Sequence, residues 1–329
     1  MDRRHFCLSA AALSLAATGA RAADPFPSRP VRLIVPYAAG GGPDVLVRQI
    51  GERFSEALGQ PLVLENKVGA AGVLAAQYVA QSPADGYTLL MGSNTHLIQK
   101  IMQPALRFDP IKEFVPISNM AASPTVMVVH ADGPYKTVAD VLAAGKAQPG
   151  KAQPGKMNYG SGGIGTSAHL AGATFVALRG IKAMHIPLKG SVEISTSLIR
   201  GDTDFAFPVA GTGVPQVKGG RLRALAVTSA SRLKELPDVS TLKEVMHNDL
   251  AVQESWFGFW APAGTPPEVI SKFYAASSKV LSQPEVRAQF EASGNTVALS
   301  ESPQAFAAFV RSENRKWAEI VKLAGVSAN

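Results

Sequence analysis

Pro30-Val31-Arg32-Leu33-Ile34-Val35-Pro36, running into Tyr37-Ala38-Ala39-Gly40-Gly41-Gly42-Pro43-Asp44, is the stretch whose reading decides the fold class. Its first half is a short apolar run bounded by prolines, the pattern of a buried strand. Its second half is a glycine loop. Val45, Leu46, Ile50, Phe54 and Leu58 then follow at helical spacing, and Gly59 supplies a stop. Outward from this unit the alternation continues, with strands expected at residues 62–66 and 88–92 and a helix at 70–79. Strands alternating with helices predict an α/β sheet with parallel strands.

The pattern then begins again. Residues 125–130, 157–159, 183–187 and 222–228 read as strands, with helices at 138–146 and 166–178. This predicts a second α/β domain, and the apolar strand at 255–261 would carry the chain back to the first. Its Trp256 and Trp260 are expected in the core. Thr265-Pro266-Pro267-Glu268 has the form of a capping box with proline in the first turn. Ser302-Pro303 opens a last helix whose apolar face carries Phe306, Phe309, Val310, Trp317, Ile320 and Val321. Between Lys146 and Lys156 the sequence Ala-Gln-Pro-Gly-Lys occurs twice in tandem, a surface loop to which no role is assigned.

The chain has 329 residues, 46% of them hydrophobic and 17% charged, with a net charge of +7. That composition excludes intrinsic disorder, and the length suggests two domains. Beyond the first twenty-odd residues no apolar run approaches the ~18–20 that span a bilayer. Basic residues are scattered and form no dense run among aromatics, so no nucleic-acid partner is expected. Met1 to Ala22 reads as a signal peptide: Arg3 and Arg4, an apolar stretch, then Ala20-Arg21-Ala22 as cleavage signal. Arg3-Arg4-x-Phe6 fits either a Sec or a twin-arginine route. The single cysteine, Cys7, lies within this segment, which excludes an intramolecular disulfide and a Cys-built zinc cluster.

Two glycine loops sit between a strand and a helix. Gly40-Gly41-Gly42 is the first, and Gly160-Ser161-Gly162-Gly163-Ile164-Gly165-Thr166-Ser167 the second. Such loops let backbone approach a ligand, and a helix N-terminus offers unpaired N–H groups and a positive dipole end. The alternative for the first is a tight turn capped by Asp44. The second matches G-x-G-x-x-G without a ribose-binding acid some twenty residues on, and a P-loop with Thr166 in place of lysine. A glycine-and-hydroxyl loop holding an anion through neutral donors remains. Catalytic patterns are poor: Ser161 lacks the first glycine of a nucleophile elbow, and Ser167 and His169 face different sides of a helix. The six histidines form no metal-binding pair, and no cofactor is expected. His96, at a strand end, is expected to be partly buried and hydrogen-bonded.

Pro30-Val-Arg-Leu-Ile-Val-Pro36-Tyr37, Gly40-Gly41-Gly42-x-Asp44, Ala84-Asp-Gly-Tyr-Thr-Leu-Leu and Asn158-Tyr-Gly-Ser161-Gly together resemble the periplasmic solute-binding proteins of tripartite tricarboxylate transporters, the Bug family. Gly165-Thr-Ser-x-His169-Leu, Leu222-Arg-Ala-Leu-Ala-Val-Thr-Ser, Ser255-Trp-Phe-Gly and Ala261-Pro-Ala-Gly-Thr-Pro extend the resemblance from about Phe26 to the C-terminus. It implies a two-domain α/β clamshell, each domain a mixed sheet flanked by helices, with ligand in the interdomain cleft. The expected division is residues 23–121 plus 258–329 against 122–257, with hinges near 119–124 and 253–261. The resemblance further implies ligand-binding loops at Tyr37, Ala38, Ala39, Gly40, Gly41 and Gly42 and from Ser161 through Gly165, Thr166 and Ser167 to His169. Ser93, Asn94 and Thr95 match a third segment.

After Phe207 the chain has Pro208, where family members commonly carry an aspartate. An amino-acid ligand would lose its ammonium partner there, and Phe207 and Pro208 are expected to line the ligand site as a more apolar wall. The expected ligand is a carboxylate without an amine, either an aliphatic di- or tricarboxylate or an aromatic acid such as terephthalate. The implied protein is a monomeric, non-enzymatic receptor in the periplasm that serves membrane permease subunits. Other readings are a ligand-sensing subunit facing a partner such as a sensor kinase, and an exported hydrolase or acyl transferase using Ser161 or Ser167 with His169.

Overall fold

The computed structural model describes residues 25–146 and 157–327. The segment expected to be a signal peptide and the tandem repeat therefore lie outside the described residues, apart from Lys146, which ends a helix.

The opening strand β1, Val31–Val35, is followed by α1, Gly42–Leu58, and β2, Leu62–Asn66. Then come α2, Val73–Ala80, β3, Thr88–Ser93, and α3, Asn94–Met102. β1 pairs in parallel with β2 and β3, Leu33 lying between Leu64 and Leu89. Gly59, at φ 74°, ends α1 in the left-handed conformation that glycine tolerates. Val45 is exposed, and Val47 takes its place on the buried face. The helix expected from residue 70 starts only at Val73. Ala70 and Ala71 before it are left-handed, in a single 3₁₀ turn.

Two long strands complete this sheet: β4, Phe114–Pro124, and β10, Glu254–Pro262. Its order is β11-β4-β10-β3-β1-β2, with β11 spanning Thr296–Val297. β10 runs antiparallel to both neighbours, so the sheet is mixed where alternation alone predicted parallel strands. β4 has no helix between it and the next strand, which removes the periodicity contrast that would mark it.

The second sheet is built from β5, Val126–His130, β6, Asn158–Ser161, β7, Met184–Pro187, β8, Phe205–Ala206, and β9, Leu222–Val227. Its order is β7-β6-β8-β5-β9, with β5 antiparallel to β8 and β9. α4, Val138–Lys146, α5, Ser167–Arg179, α6, Ser191–Arg200, α7, Ala210–Lys218, and α8, Leu242–Met246, belong to this lobe. The chain crosses between lobes side by side. Glu254 pairs with Pro124, and Thr228 accepts from the Thr125 N–H through its hydroxyl at 2.9 Å.

Three helices close the first lobe: α9, Pro267–Leu281, α10, Pro284–Glu291, and α11, Pro303–Ala324. Thr265 does not cap α9. Pro266 holds the N-cap position, and the Thr265 hydroxyl turns back to the Pro262 carbonyl at 2.8 Å. Ser302 does cap α11, accepting from the Ala305 N–H. On α11 Phe309 is exposed while Phe306, Val310, Trp317, Ile320 and Val321 are buried. Trp256 and Trp260 lie in the core between β3, β10 and α11. The Glu313 carboxylate accepts from the indoles of Trp256 at 3.0 Å and Trp317 at 2.9 Å, which ties α11 to β10.

Candidate functional site

A chamber of about 560 Å³ lies between the two lobes. From the first lobe it is lined by Tyr37, Ala38, the Val68–Gly72 turn and the Thr95, Gln99, Gln103 face of α3. From the second come Gly162, Gly163, Ile164, Thr166 and residues 187–191. A smaller recess of about 70 Å³ continues towards the crossing strands, walled by Ile194, Val209, Ser255 and Phe257. The two share Tyr37, Thr95, Gly162, Thr166, Gly190 and Ser191.

Helix starts converge on this space. Thr95 is in the first turn of α3, Ser167 and Ala168 in that of α5, and Ser191 in that of α6, while the Ala70–Gly72 turn leads into α2. First-turn N–H groups have no intrahelical acceptor, and each helix adds the positive end of its dipole. Among the described residues no aspartate or glutamate lines either chamber or recess, and Lys189 is the one side chain there charged at neutral pH. Such a wall favours an anion and offers an ammonium group no charged partner.

The expected site residues divide into wall and support. Tyr37, Ala38, Thr95, Thr166 and Ser167 stand on the wall. The glycine N–H groups of the first loop are engaged inside the protein instead. Gly40 donates to the Asp44 carboxylate at 2.9 Å, Gly41 to the Ala38 carbonyl at 3.1 Å, and Gly42 to the Thr212 hydroxyl across the lobe boundary at 3.1 Å. Ala39, like these glycines, is not part of the wall. Asp44 is not the N-cap of α1, a position held by Gly41. Its buried carboxylate would be raised by desolvation, but donors on Arg48, Asn66 and Gly40 hold it below the usual range. Asn66 also donates to the Tyr37 carbonyl at 2.9 Å, so this network fixes the loop's shape.

Tyr37 donates to the Ser93 hydroxyl at 2.8 Å, and burial pushes its phenol up to about 12. It therefore presents a neutral hydroxyl. Ser93 is the N-cap of α3, and the neighbouring Asn94 accepts from the Ser167 hydroxyl at 3.3 Å, bridging the lobes. Buried His96 accepts from the Ser93 N–H at 3.1 Å, and desolvation lowers its pKa to about 4.

In the second loop Thr166 caps α5 by accepting from the His169 N–H. His169 Nδ1 accepts from the Gly165 N–H at 3.0 Å, and its ring stacks on His185 with centroids 3.9 Å apart. Burial lowers both, to about 3 for His169 and about 4 for His185. Ser161 is wholly buried and donates to the Gly163 carbonyl at 3.0 Å. Ser161 Oγ also shares a 2.6 Å hydrogen bond with Nε2 of His185, the ring that stacks on His169. Neither Ser161 nor Ser167 is bonded to His169.

Phe207 packs against Phe175 and Phe205 inside the second lobe, away from the chamber. Pro208 is buried beside Gly213, and Val209 is the residue that reaches the recess. Gln99, Gln103, Gly190-Ser191 and the Val68–Gly72 turn also stand on the wall, beyond the residues expected from sequence. Gly190-Ser191 had a usable signal, because it is a third glycine-hydroxyl junction between a strand and a helix. Gln99 and Gln103 follow Thr95 at four-residue spacing on α3, a face that only the opposing lobe makes into a wall.

Residues 46–326 match the model of the TctC family, the tripartite tricarboxylate transporter family receptors. The chain belongs to this family. Three solved structures of this kind resemble the receptor over nearly their whole length. The periplasmic binding protein BugD is 29% identical, with a TM-score of 0.85 over 92% of this chain and 99% of that one. Rpa4515 of R. palustris, solved with adipate, is 30% identical with a TM-score of 0.85, covering 92% and 99%. MatC from Rhodopseudomonas palustris, with bound malate, is 28% identical with a TM-score of 0.82, covering 90% and 100%. The TctC-family receptor thus has the two-lobed periplasmic-binding-protein fold, and its family is one of solute receptors.

Proposed function

We propose that this receptor captures a small carboxylate without an amino group in the chamber between its lobes and delivers it to the membrane components of a tripartite tricarboxylate-type transporter. The observation that carries the reading is the wall: helix starts and hydroxyls from both lobes, with no carboxylate to meet an ammonium group. The adipate and malate held by two structural neighbours agree with it. The first-turn N–H groups at Thr95, Ser167 and Ser191 would hold the carboxylate group, with Tyr37 and Thr166 beside it. Ile194, Val209 and Phe257 give a carbon skeleton, aliphatic or aromatic, an apolar recess.

Contacts from both lobes would favour the closed arrangement, with residues 23–121 plus 258–329 and 122–257 moving as two bodies about the paired crossings. The protein would work in the periplasm after loss of residues 1–22, as a monomer, by the Sec or the twin-arginine route.

A thermal-shift screen of refolded, ligand-free protein tests this, using carboxylates, their methyl esters and amino acids. Ligand at about 100 times its dissociation constant adds about 2.7 kcal/mol to stability. An ester leaves donors unmet at ~1–3 kcal/mol each, so acids should raise the melting temperature and esters should not. A flat response, or equal shifts from acid and ester, would refute the proposal.

A further inference from the structure

We infer that Gln99 latches the outer end of the chamber across the lobe boundary and so sets how long a captured ligand stays; this rests on the capture reading above. Gln99 belongs to α3 of the first lobe and is buried, although it lines the chamber. Its Nε2 donates to the Ile164 carbonyl in the glycine loop of the second lobe. Its Oε1 accepts from Nε2 of Gln103, the C-cap of the same helix, at 2.9 Å. The two amides run one way, from Gln103 to Gln99 to Ile164, and each bond polarises the next.

The receiving loop is shaped for this contact. The Ile164 carbonyl and the Gly165 N–H belong to one peptide unit, which is gripped at both ends. His169 Nδ1 holds the N–H at 3.0 Å from within the second lobe, and Gln99 holds the carbonyl from the first. A Cβ at residue 165 would stand 2.5 Å from Gln99 Nε2 and 3.1 Å from its Cδ, so the absence of a side chain there admits the amide. Position gives the bond its leverage. The cross-lobe bonds of Asn94 to Ser167 and of Gly42 to Thr212 lie beside the recess, towards the crossing strands, where Pro43 and Ser167 form its wall. Gln99, Gln103 and Ile164 line only the main chamber. In a rotation about the crossings the outer groups travel farthest, so this bond forms last on closing and breaks first on opening. A bond made that late raises the barrier to escape and leaves capture unaffected.

The test measures association and dissociation rates by surface plasmon resonance, with adipate, malate, succinate and benzoate as probes. It compares refolded wild type, Gln99→Met, Gln99→Ala, Gly165→Ala and the double variant of Gln99→Ala with Gly165→Ala. Gln99→Met keeps the length of the side chain and loses the donor. Each probe that binds wild type should leave Gln99→Met about fivefold faster, the worth of one net hydrogen bond, and associate within about twofold of the wild-type rate. Gly165→Ala should weaken binding about tenfold in wild type and only about threefold once residue 99 is alanine, because the clash across the lobes is then gone. The strain of a left-handed alanine is the same with the lobes open or closed and cancels from the affinity. Dissociation from Gln99→Met within twofold of wild type, a loss that falls on association, or additive effects in the double variant overturns the latch while leaving the capture reading intact. A loss confined to the longer acids overturns it too, because Gln99 would then act by touching the ligand. Failure of all four probes to bind wild type removes both readings together.

Discussion

Gly42→Ala places a methyl group between the lobes and not inside either one. A Cβ at residue 42 would stand 2.9 Å from the Gly211 carbonyl carbon and from the Thr212 hydroxyl, and 3.0 Å from the Thr212 nitrogen. Ordinary contact begins near 3.4 Å, and two of these three atoms are backbone, so the lobes must separate by about half an ångström at this point. Overpacking of this kind costs about 1–3 kcal/mol, to be set against closure, and it also stretches the Gly42–Thr212 hydrogen bond. At about 1.4 kcal/mol per decade, carboxylate affinity should fall about 5- to 150-fold. Gly42 lies at the start of a helix, where alanine is locally acceptable, so each lobe keeps its own core. The control is Gly51→Ala on the same helix, whose added methyl meets only Leu64 Cδ1 at 3.7 Å. Removing a mid-helix glycine there should add about 0.5–1 kcal/mol of stability with no loss of binding. Calorimetric titration with the best acid from the screen, alongside melting of ligand-free protein, reads both effects. Gly42→Ala binding within twofold of wild type, or an equal loss in Gly51→Ala, would refute the argument that closure requires this contact.

Val209→Asp should abolish carboxylate binding in the same titration while leaving the melting temperature near wild type. Residue 209 borders the recess and is also the N-cap of α7, where aspartate is favoured. Glu313→Ala should cost about 2–5 kcal/mol in denaturant unfolding followed by tryptophan fluorescence, because it strands two buried indole N–H groups. Stability should also fall in mild acid. His96, His169 and His185 are held neutral, at about 4, 3 and 4, so the unfolded chain binds more protons below its own value of about 6.5. Their contribution is full above that value and drains away as pH falls towards 4. His185→Gln, which keeps a hydrogen-bonding group beside Ser161, should flatten the slope; an unchanged slope would show that His185 takes up its proton in the native protein as readily as in the unfolded chain.

The opening strand, glycine loop and helix were readable because every signal in residues 30–59 agrees: proline boundaries, apolar run, helical spacing, terminal glycine. The mixed character of the first sheet was not, since β10 reads as one more apolar strand and its direction is set by where the second lobe returns the chain. The site was half legible. Loops at helix starts pointed to the space between the lobes, and Tyr37, Thr95, Thr166 and Ser167 stand on its wall. Local sequence cannot reveal that Asn66 pins the Asp44 carboxylate beneath the loop or that Thr212 claims the Gly42 N–H, because Asn66 and Thr212 enter only through tertiary contact. Phe207 and Pro208 show the same limit: one residue along the chain separates core from wall, and Val209 holds the position inferred for them.

The central place of β10 in its sheet also governs the order of assembly. All five strands of the second lobe lie within residues 126–227, so that lobe contains everything its sheet requires. The first lobe does not. Its β1-β2-β3 group and its β4 strand share no edge until residues 254–262 arrive between them, bringing Phe257 to Ser93 on one side and to Ala121 on the other. Pairings so distant in sequence form slowly. The lobe that the ribosome begins first is therefore completed last, around a companion already folded, and refolding should show a fast phase from the inserted lobe followed by a slower one as β10 is captured.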